Sequence, residues 1–216
     1  MVNKAFTLIE LIFSIVVLSI AFLAIPQLFE ISSANIEEIL KDEATFQGIK
    51  TAKTIQTYFW DENSPNNDGN FTYILDVQAG DSELDRYNAT QYRIGNYILA
   101  KKRRFYDNPT FASTTLGSEA TDTVYNDIDD FNNKIENITS SLVDLKVKTK
   151  IYYINDSANY SAHTINKTIS ASPQSQSTNI KMIDINITDS KNKSILVYRT
   201  ISCNIGSAPI KYRTLR

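Results

Sequence analysis

The chain opens its longest apolar run with Lys4-Ala5-Phe6-Thr7-Leu8-Ile9-Glu10-Leu11-Ile12, and the run continues to Leu28. As a helix rising about 1.5 Å per residue, residues 6–28 are roughly 34 Å long. That length spans the hydrocarbon core of a bilayer, which is about 30 Å thick. Glu10 is unusual in this setting, because a carboxylate inside a membrane is costly unless a partner meets it. We therefore predict a membrane-spanning helix in which Glu10 has a specific partner.

A cleaved secretory signal and a retained anchor are two interpretations of this run. A secretory signal ends at a small-residue cleavage site, whereas the segment after Ala24 is Ile25-Pro26-Gln27-Leu28-Phe29-Glu30. Lys4 is the one basic side chain before the span, and the next one is Lys41. The positive-inside rule thus places the N-terminus in the cytoplasm, and the absence of a good cleavage site favours a retained anchor.

The residues Lys4-Ala5-Phe6-Thr7-Leu8-Ile9-Glu10, followed by an apolar helix, resemble the class III signal of bacterial type IV pilins and of the pseudopilins of type II secretion. In that family a dedicated membrane peptidase cuts before the Phe and methylates the new amino terminus. The resemblance places the cut between Ala5 and Phe6 and makes Glu10 the fifth residue of the mature chain. The family usually has Gly where this chain has Ala5; alanine is the next smallest side chain, so we expect cutting to be retained.

The resemblance also implies a partner for Glu10. After cleavage, Phe6 carries a new amine at a helix N-terminus, where the helix macrodipole favours a carboxylate one turn further on. In a filament, the Glu10 of one subunit can pair with the Phe6 amine of its neighbour and so set the assembly register. The alternative is a simple signal anchor that holds an unrelated external domain.

Length and composition fit one anchor and one globular domain. The chain has 216 residues, of which 42% are hydrophobic, and a formal net charge of -2. A domain of about 150 residues can bury its own core, and the small net charge gives no general reason to expect a nucleic-acid partner. Cys203 is the single cysteine. No intrachain disulfide can therefore form, and packing or a bound ion has to hold the domain.

The helical pattern continues beyond Pro26, where a proline removes one hydrogen bond and kinks the helix. In the pilin family a proline near this depth lets the helix bend during assembly. Large apolar residues then recur at helical spacing with charged residues between them. They are Ile31, Ile36, Ile39, Leu40, Phe46, Ile49, Ile55 and Phe59. The pattern predicts one helix to about Trp60, with a membrane half at 6–28 and an amphipathic half at 29–60 whose apolar stripe is buried. Residues 1–5 are then a leader and residues 61–216 a globular domain.

Strand patterns follow from residue 71 onwards. Residues 142–155 alternate between two faces. One face carries Leu145, Val147, Thr149 and Ile151, and the other carries Lys146, Lys148 and Lys150. Residues 180–188 and 194–205 are two further strands joined by a hairpin loop at 189–193, and residues 91–104 form a strand or a hairpin. The polar segments 110–123 and 155–178 are surface loops. The predicted fold class is α+β, with a long N-terminal helix packed on an antiparallel β-sheet, as the pilin resemblance implies.

Two acidic segments each leave two interpretations open. The first is Asp61-Glu62-Asn63-Ser64-Pro65-Asn66-Asn67-Asp68-Gly69-Asn70, which is dense in oxygen ligands but lacks the EF-hand spacing. We favour a solvated turn that ends the helix, with calcium as the alternative and no other cofactor expected. The second, Asn126-Asp127-Ile128-Asp129-Asp130-Phe131, resembles a segment of some minor pilins of the mannose-sensitive haemagglutinin type. An acidic turn with Phe131 packed inward explains it equally well.

A basic run, Lys101-Lys102-Arg103-Arg104, has the aromatic neighbours Tyr97, Phe105 and Tyr106. Such a patch can bind DNA phosphates without recognising the base sequence. Charge that protects a strand edge from pairing explains the run as well, and we favour that interpretation.

Catalytic motifs are scarce. His163 is the single histidine and lies in a segment rich in Ser and Asn, so we expect a surface residue rather than a general base. Cys203 lies in an apolar strand, where a buried, inert thiol is expected. The sequence has no Gly-x-Ser-x-Gly motif, no phosphate-binding loop and no paired His/Cys metal spacing. We therefore do not expect an enzyme.

These observations predict a structural subunit, a minor pilin or pseudopilin, of a type IV pilus or a type II secretion filament. The resemblance implies prepilin peptidase and other pilin subunits as partners. It also implies insertion in the bacterial inner membrane and then assembly into a periplasmic or extracellular filament. The alternative is a binding module on a pilin-type anchor that grips DNA, a surface or a secretion substrate. The large, cysteine-poor domain and its long loops favour a minor subunit.

Overall fold

The computed structural model describes residues 7–93, 103–118, 124–139 and 144–207. These residues include one long helix and a four-stranded antiparallel sheet, which confirms the predicted α+β, pilin-like fold class. The elements are α1 at Leu8–Ile55, β1 at Ile135–Thr139, β2 at Asp144–Ile154, β3 at Ile180–Asp189 and β4 at Ser194–Cys203. The chain forms two compact units, Met1–Glu43 and Ala44–Arg216.

The first unit contains the apolar part of α1. The helix begins where Glu10 and Leu11 donate their backbone N–H groups to the carbonyl of Thr7, at 3.0 and 3.2 Å. Ser14 and Ser19 donate their hydroxyls to the carbonyls four residues earlier, at 2.8 and 2.7 Å. The two hydroxyls are therefore satisfied within the helix, as an apolar surrounding requires.

The second unit begins at Ala44, and its part of α1 packs on the sheet through small residues. The buried positions recur every three or four residues, at Ala44, Gln47, Gly48, Ala52 and Ile55. A Cβ placed on Gly48 would lie 3.2 Å from Cδ1 of Ile187 and 3.3 Å from Cβ of Tyr198. The helix backbone thus approaches β3 and β4 closely, which is possible because Gly48 has no side chain.

Within the second unit, the predicted buried stripe of the amphipathic half is wrong at Phe46 and Ile49. Their side chains are 62% and 43% exposed. Large side chains on the packing face would hold the helix away from the sheet, so the close approach at Gly48 selects the small-residue face instead. Phe46 and Ile49 lie on other faces of the helix, whereas Ile55 is buried as predicted.

α1 ends at Ile55, before the predicted end near Trp60. Tyr58 donates its N–H to the carbonyl of Ile55 at 3.1 Å, which tightens the chain into a turn. Phe59 then forms a β-bridge with Asp127. Tertiary pairing at Phe59 therefore outweighs the helical pattern that the sequence shows there.

The sheet is an antiparallel meander in the order β1-β2-β3-β4. β2, β3 and β4 confirm the strands predicted at 142–155, 180–188 and 194–205. β1 is a strand that the sequence analysis missed, because its side chains are mostly exposed and do not alternate. The strand or hairpin predicted at 91–104 falls largely outside the described residues, which omit 94–102.

Side-chain alternation along β2 and β3 sets the two faces of the sheet. On the buried face the facing pairs are Val147 with Ile187, Thr149 with Ile185, and Ile151 with Ile183. The predicted lysine row lies on the opposite face, with Lys148 and Lys150 exposed. The next pair along the buried face is Tyr153 with Lys181. Both are buried, and the Lys181 side chain is fully shielded from solvent.

β3 and β4 are joined by the predicted hairpin loop. Oδ1 of Asp189 accepts the backbone N–H groups of Lys191 and Lys193, both at 2.8 Å. Asn192 takes the left-handed conformation with φ of 62°, which asparagine tolerates better than most residues. Residues 155–178 form a loop, as predicted.

Candidate functional site

α1 is long and apolar enough to cross a membrane. One 18-residue window of it has a mean hydropathy of 2.8, and none of that window is buried within the chain. The exposed side chains of the segment include Leu8, Ile9, Phe13 and Leu23. Their apolar surface is therefore available to lipid or to other helices.

Glu10 lies in the first turn of this helix and is exposed. The hydroxyl of Thr7 donates to Oε2 of Glu10 at 3.4 Å. A carboxylate accepts up to about four hydrogen bonds, so a further donor can still bind it. The predicted processing residues Ala5 and Phe6 lie outside the described residues. Pro26 lies inside α1, which continues through it.

The predicted basic run is described in part. Lys101 and Lys102 lie outside the described residues, Arg103 is exposed, and Arg104 is half-buried. The guanidinium of Arg104 lies 5.4 Å from the ring centroid of Tyr73 and its Nη2 donates to the Tyr73 hydroxyl at 3.4 Å. At least one of the four predicted cations is thus held by an aromatic residue of its own chain. This contact favours a structural role for Arg104.

His163 and Cys203 are the two residues that the sequence analysis considered for catalysis. His163 is exposed, as predicted. Cys203 is half-buried at the end of β4, where the sequence analysis predicts a buried thiol. Burial raises the pKa of the Cys203 thiol, so it stays protonated near neutral pH and is a poor nucleophile.

The acidic segment after the helix is not solvated at its start. Asp61 and Ser64 are buried, and Asp61 accepts a backbone N–H from Ser113 at 2.9 Å. The prediction of a solvated turn is wrong for these two residues, because the Lys181 ammonium provides a buried partner for Asp61. It is confirmed at 67–70, which are exposed and in turn conformation. Within the described residues, no group of three or more His, Cys, Asp or Glu side chains is arranged to hold a metal ion, and calcium stays a prediction.

Lys181 is the centre of a buried cluster, defined by Lys181, Asp61, Asp127 and Asp129, which we name the Lys181 site. Its Nζ lies 2.6 Å from Oδ1 of Asp129 and 3.5 Å from Oδ2 of Asp61. Nζ also donates to the carbonyl oxygen of Trp60 at 2.7 Å. The four side chains that define the site are each at most 2% exposed. The ammonium thus donates two short hydrogen bonds and has a second carboxylate nearby, which offsets its desolvation.

Two aromatic rings line the Lys181 site. Nζ of Lys181 lies 4.5 Å from the ring of Trp60 and 5.5 Å from the ring of Tyr153. Tyr153 donates its hydroxyl to the carbonyl of Ser113 at 2.6 Å, and burial raises its pKa, so the phenol stays neutral. The rings stabilise the cation through their faces and keep solvent away from it.

Asp127 has a raised pKa within the Lys181 site. Burial, the nearby Asp129 carboxylate and a hydrogen bond with that carboxylate raise the pKa of Asp127 from 3.8 to about 8. Oδ1 of Asp127 accepts the backbone N–H groups of Asp129 at 2.8 Å and of Asp130 at 3.2 Å. This leaves Oδ2 as the oxygen that can carry the acid proton. At neutral pH Asp127 is therefore a neutral acid within the Lys181 site.

The second acidic segment supplies two of these carboxyls. Its 3-10 turn Asp129–Phe131 is buried, and the Phe131 ring meets Tyr58 edge-on with centroids 4.9 Å apart. This confirms the predicted acidic turn with Phe131 packed inward. Oδ2 of Asp130 accepts the backbone N–H of Asn126 at 2.7 Å and fixes the turn. The resemblance to minor pilins of the haemagglutinin type stays a prediction.

Lys181 was not among the predicted site residues, although the alternation of side chains along β3 indicates that it is buried. Lys181 is in phase with the buried side chains of Ile183, Ile185 and Ile187, so alternation alone puts it on the core face. A lysine on a core face needs buried carboxylates nearby. Asp61 and Asp129 lie far from it in sequence, so the pairing became visible only in the fold.

Residues 1–26 match the prokaryotic N-terminal methylation motif, which is the class III prepilin signal of type IV pilins and pseudopilins. The chain thus carries a prepilin-type signal at the start of a helix that is long and apolar enough to cross a membrane. No curated protein and no solved structure matches the chain.

Proposed function

We propose that the chain is a structural subunit, a minor pilin or pseudopilin, which joins a type IV pilus or a type II secretion filament through α1. Prepilin peptidase cuts between Ala5 and Phe6 and methylates the new amine. The subunit waits in the bacterial inner membrane, and then enters a periplasmic or extracellular filament with other pilin subunits. The methylation motif over residues 1–26 supports this proposal.

The observation that carries the proposal is an acid in the first turn of a membrane-length apolar helix. Glu10 is exposed on α1, with the hydroxyl of Thr7 as a hydrogen-bond donor at 3.4 Å. In lipid, such a carboxylate costs several kcal/mol unless a charged donor meets it. A Phe6 amine on a neighbouring subunit supplies that donor and recovers the cost only on docking. Glu10 therefore sets the register of assembly.

Pro26 has a second role in this proposal. It removes one backbone hydrogen bond from the apolar part of α1. The helix can bend at that point while the subunit leaves the bilayer and enters the filament. Glu10 thus sets the position at which the helix docks, and Pro26 allows the helix to bend.

The test replaces Glu10 with Ala in cells and measures the processed chain in sheared filaments and in membranes. We expect Glu10→Ala to be processed and to stay in the membrane, because the docking pair is lost. Ser14→Ala is the matched control, since the Ser14 hydroxyl is satisfied within its own helix at 2.8 Å. The control should enter filaments like wild type. Entry of Glu10→Ala at the wild-type level would contradict the proposal.

A gene deletion separates the two kinds of filament. Pilus number, type II secretion and DNA uptake are scored side by side in the same deletion strain. Loss of secretion with intact pili identifies a pseudopilin, and loss of pili with intact secretion identifies a minor pilin. Loss of DNA uptake alone supports the binding-module alternative and contradicts the structural role.

A further inference from the structure

The Lys181 site brings together the three groups that amide formation requires. Lys181 supplies an amine, Asp129 supplies a carboxyl carbon, and Asp127 supplies an acid that can move protons. All three side chains are at most 2% exposed. They come from β3 and from the turn before β1, so only the folded chain assembles them. The inference does not depend on the proposed function in filaments.

We propose that Lys181 and Asp129 become joined by an intramolecular isopeptide bond between Nζ and Cγ. The contact between Nζ and Oδ1 of Asp129 is 2.6 Å, the shortest of the three contacts that Nζ makes within the site. The rings of Trp60 and Tyr153, at 4.5 and 5.5 Å, cover the amine. Shielding of this kind keeps bulk water away from Nζ and from the Asp129 carboxyl.

The geometry selects Asp129 over Asp61 as the reacting carboxyl. Asp61 accepts backbone N–H groups from Asn63 at 3.1 Å and from Ser113 at 2.9 Å. These donors occupy both oxygens of Asp61, and its Oδ2 lies 3.5 Å from Nζ. Asp129 is closer to Nζ and adjoins the neutral acid of Asp127. The backbone therefore holds Asp61 beside the amine, while Asp129 reacts.

The reaction is a condensation that balances within the site. A proton first passes from the ammonium of Lys181 to the carboxylate of Asp129. The amine lone pair then attacks Cγ and forms the C–N bond. Asp127 gives its proton to the departing hydroxyl and takes one from the nitrogen, as the C–O bond breaks. The products are one amide and one water; no electron is transferred, Asp127 is regenerated, and no co-reactant is needed.

The isopeptide bond would cross-link the domain covalently, as a disulfide does in other proteins. Cys203 is the single cysteine, so the chain contains no pair for an intrachain disulfide. An amide between the turn Asp129–Phe131 and β3 would close a loop that contains β1 and β2. Such a loop restricts the unfolded chain, as a disulfide does.

The test is the mass of the full chain purified in detergent and fully denatured. We expect the wild-type chain to be one water lighter than its processed sequence. Lys181→Arg should keep the full mass, because a guanidinium is not a nucleophile at neutral pH. Lys150→Arg, on the exposed face of β2, is the matched control and should lose one water like wild type. Processing at the N-terminus is common to all three chains and cancels in the comparison.

A digest then locates the bond. We expect one branched peptide that joins the segment of Asp129 to the segment of Lys181, and its absence in Asp127→Ala. A wild-type chain at full mass, a branch at Asp61, or a loss of water without a branched peptide would overturn the proposal. A branched peptide that persists in Asp127→Ala would overturn the role of Asp127. Because the first three results come from the wild-type chain, they hold even where a variant fails to fold.

Discussion

Nζ of Lys181 and Oδ1 of Asp129 lie 2.6 Å apart, and both side chains are shielded from solvent. The contact ties β3 to the turn that precedes β1. The carbonyl of Trp60, just beyond α1, accepts a further hydrogen bond from the same ammonium. The end of the helix, the acidic turn and the sheet therefore meet at one buried side chain.

Removing the Lys181 side chain should be strongly destabilising. Lys181→Met leaves Asp61 and Asp129 buried without their partner, whether that partner is held by the ion pair or by the proposed amide, and losing one side of a buried pair costs about 3–5 kcal/mol. Urea unfolding of the detergent-solubilised chain measures the change, with the single tryptophan, Trp60, as the fluorescent probe. Lys148→Met, on the exposed face of β2, is the control and should change the free energy of unfolding by less than about 0.5 kcal/mol. Equal stability of the two variants would contradict a stabilising role for the Lys181 site.

The raised pKa of Asp127 predicts a pH dependence. The folded chain keeps a proton that the unfolded chain releases, since the pKa is 3.8 for a free carboxyl and about 8 in the fold. The contribution of this group is fully present below about pH 4 and is lost as pH rises toward about 8, at no more than about 1.4 kcal/mol per pH unit. Burial is the largest cause, so the sign does not depend on the charge of Asp129.

Asp127→Asn tests this dependence, because an amide resembles the neutral acid and does not titrate. Between pH 5 and pH 8, we expect the free energy of unfolding of the variant, measured with urea, to rise relative to that of wild type by roughly 1–3 kcal/mol. Asp68→Asn, at an exposed turn position, is the control. Its free energy of unfolding should differ from that of wild type by the same amount at every pH. A constant difference for Asp127→Asn as well would show that Asp127 is ionised in the fold.

The close packing of α1 on the sheet predicts a sensitive position. A side chain at Gly48 would meet Ile187 and Tyr198 within 3.2 and 3.3 Å at its first carbon. Gly48→Leu should therefore destabilise the domain by about 1–3 kcal/mol through overpacking. Lys53→Leu, on the exposed side of the same helix, is the control. If the two variants unfold at the same urea concentration, the helix does not pack through its small-residue face.

The basic run gives a prediction about DNA. Replacing Lys101, Lys102, Arg103 and Arg104 with Ala should leave DNA retention by the purified full chain unchanged, because we expect a structural role for these charges. A filter-binding assay at low salt, where phosphate contacts are strongest, measures retention. A triple Ala variant of Lys146, Lys148 and Lys150 controls for the loss of charge. Retention that falls only in the basic-run variant would support the DNA-binding alternative.

The sequence predicts the parts of the fold that depend on local periodicity. The apolar run and its first acid identify the membrane-length helix, and alternation identifies β2, β3 and β4. The hairpin at Asp189 follows from its turn residues, since the carboxylate bonds the backbone of the loop. Each of these signals lies within a few neighbouring residues.

The remaining features depend on contacts between distant residues. β1 shows no alternation, because its side chains are mostly exposed and only its backbone is paired. The packing face of α1 is set by the approach of Ile187 and Tyr198 to Gly48. This face carries small residues, which a search for large apolar residues at helical spacing does not find. Asp61 is buried because Lys181 lies beside it, although its own neighbours in sequence are polar.

The central claim is that a prepilin-type signal is processed and leaves a helix for assembly. Mass spectrometry of the N-terminal peptide from the chain isolated from its own cells tests this claim most directly. We predict a mature chain that begins at Phe6 with a methylated amine and retains Glu10 as its fifth residue. A chain that still begins at Met1 would contradict the account.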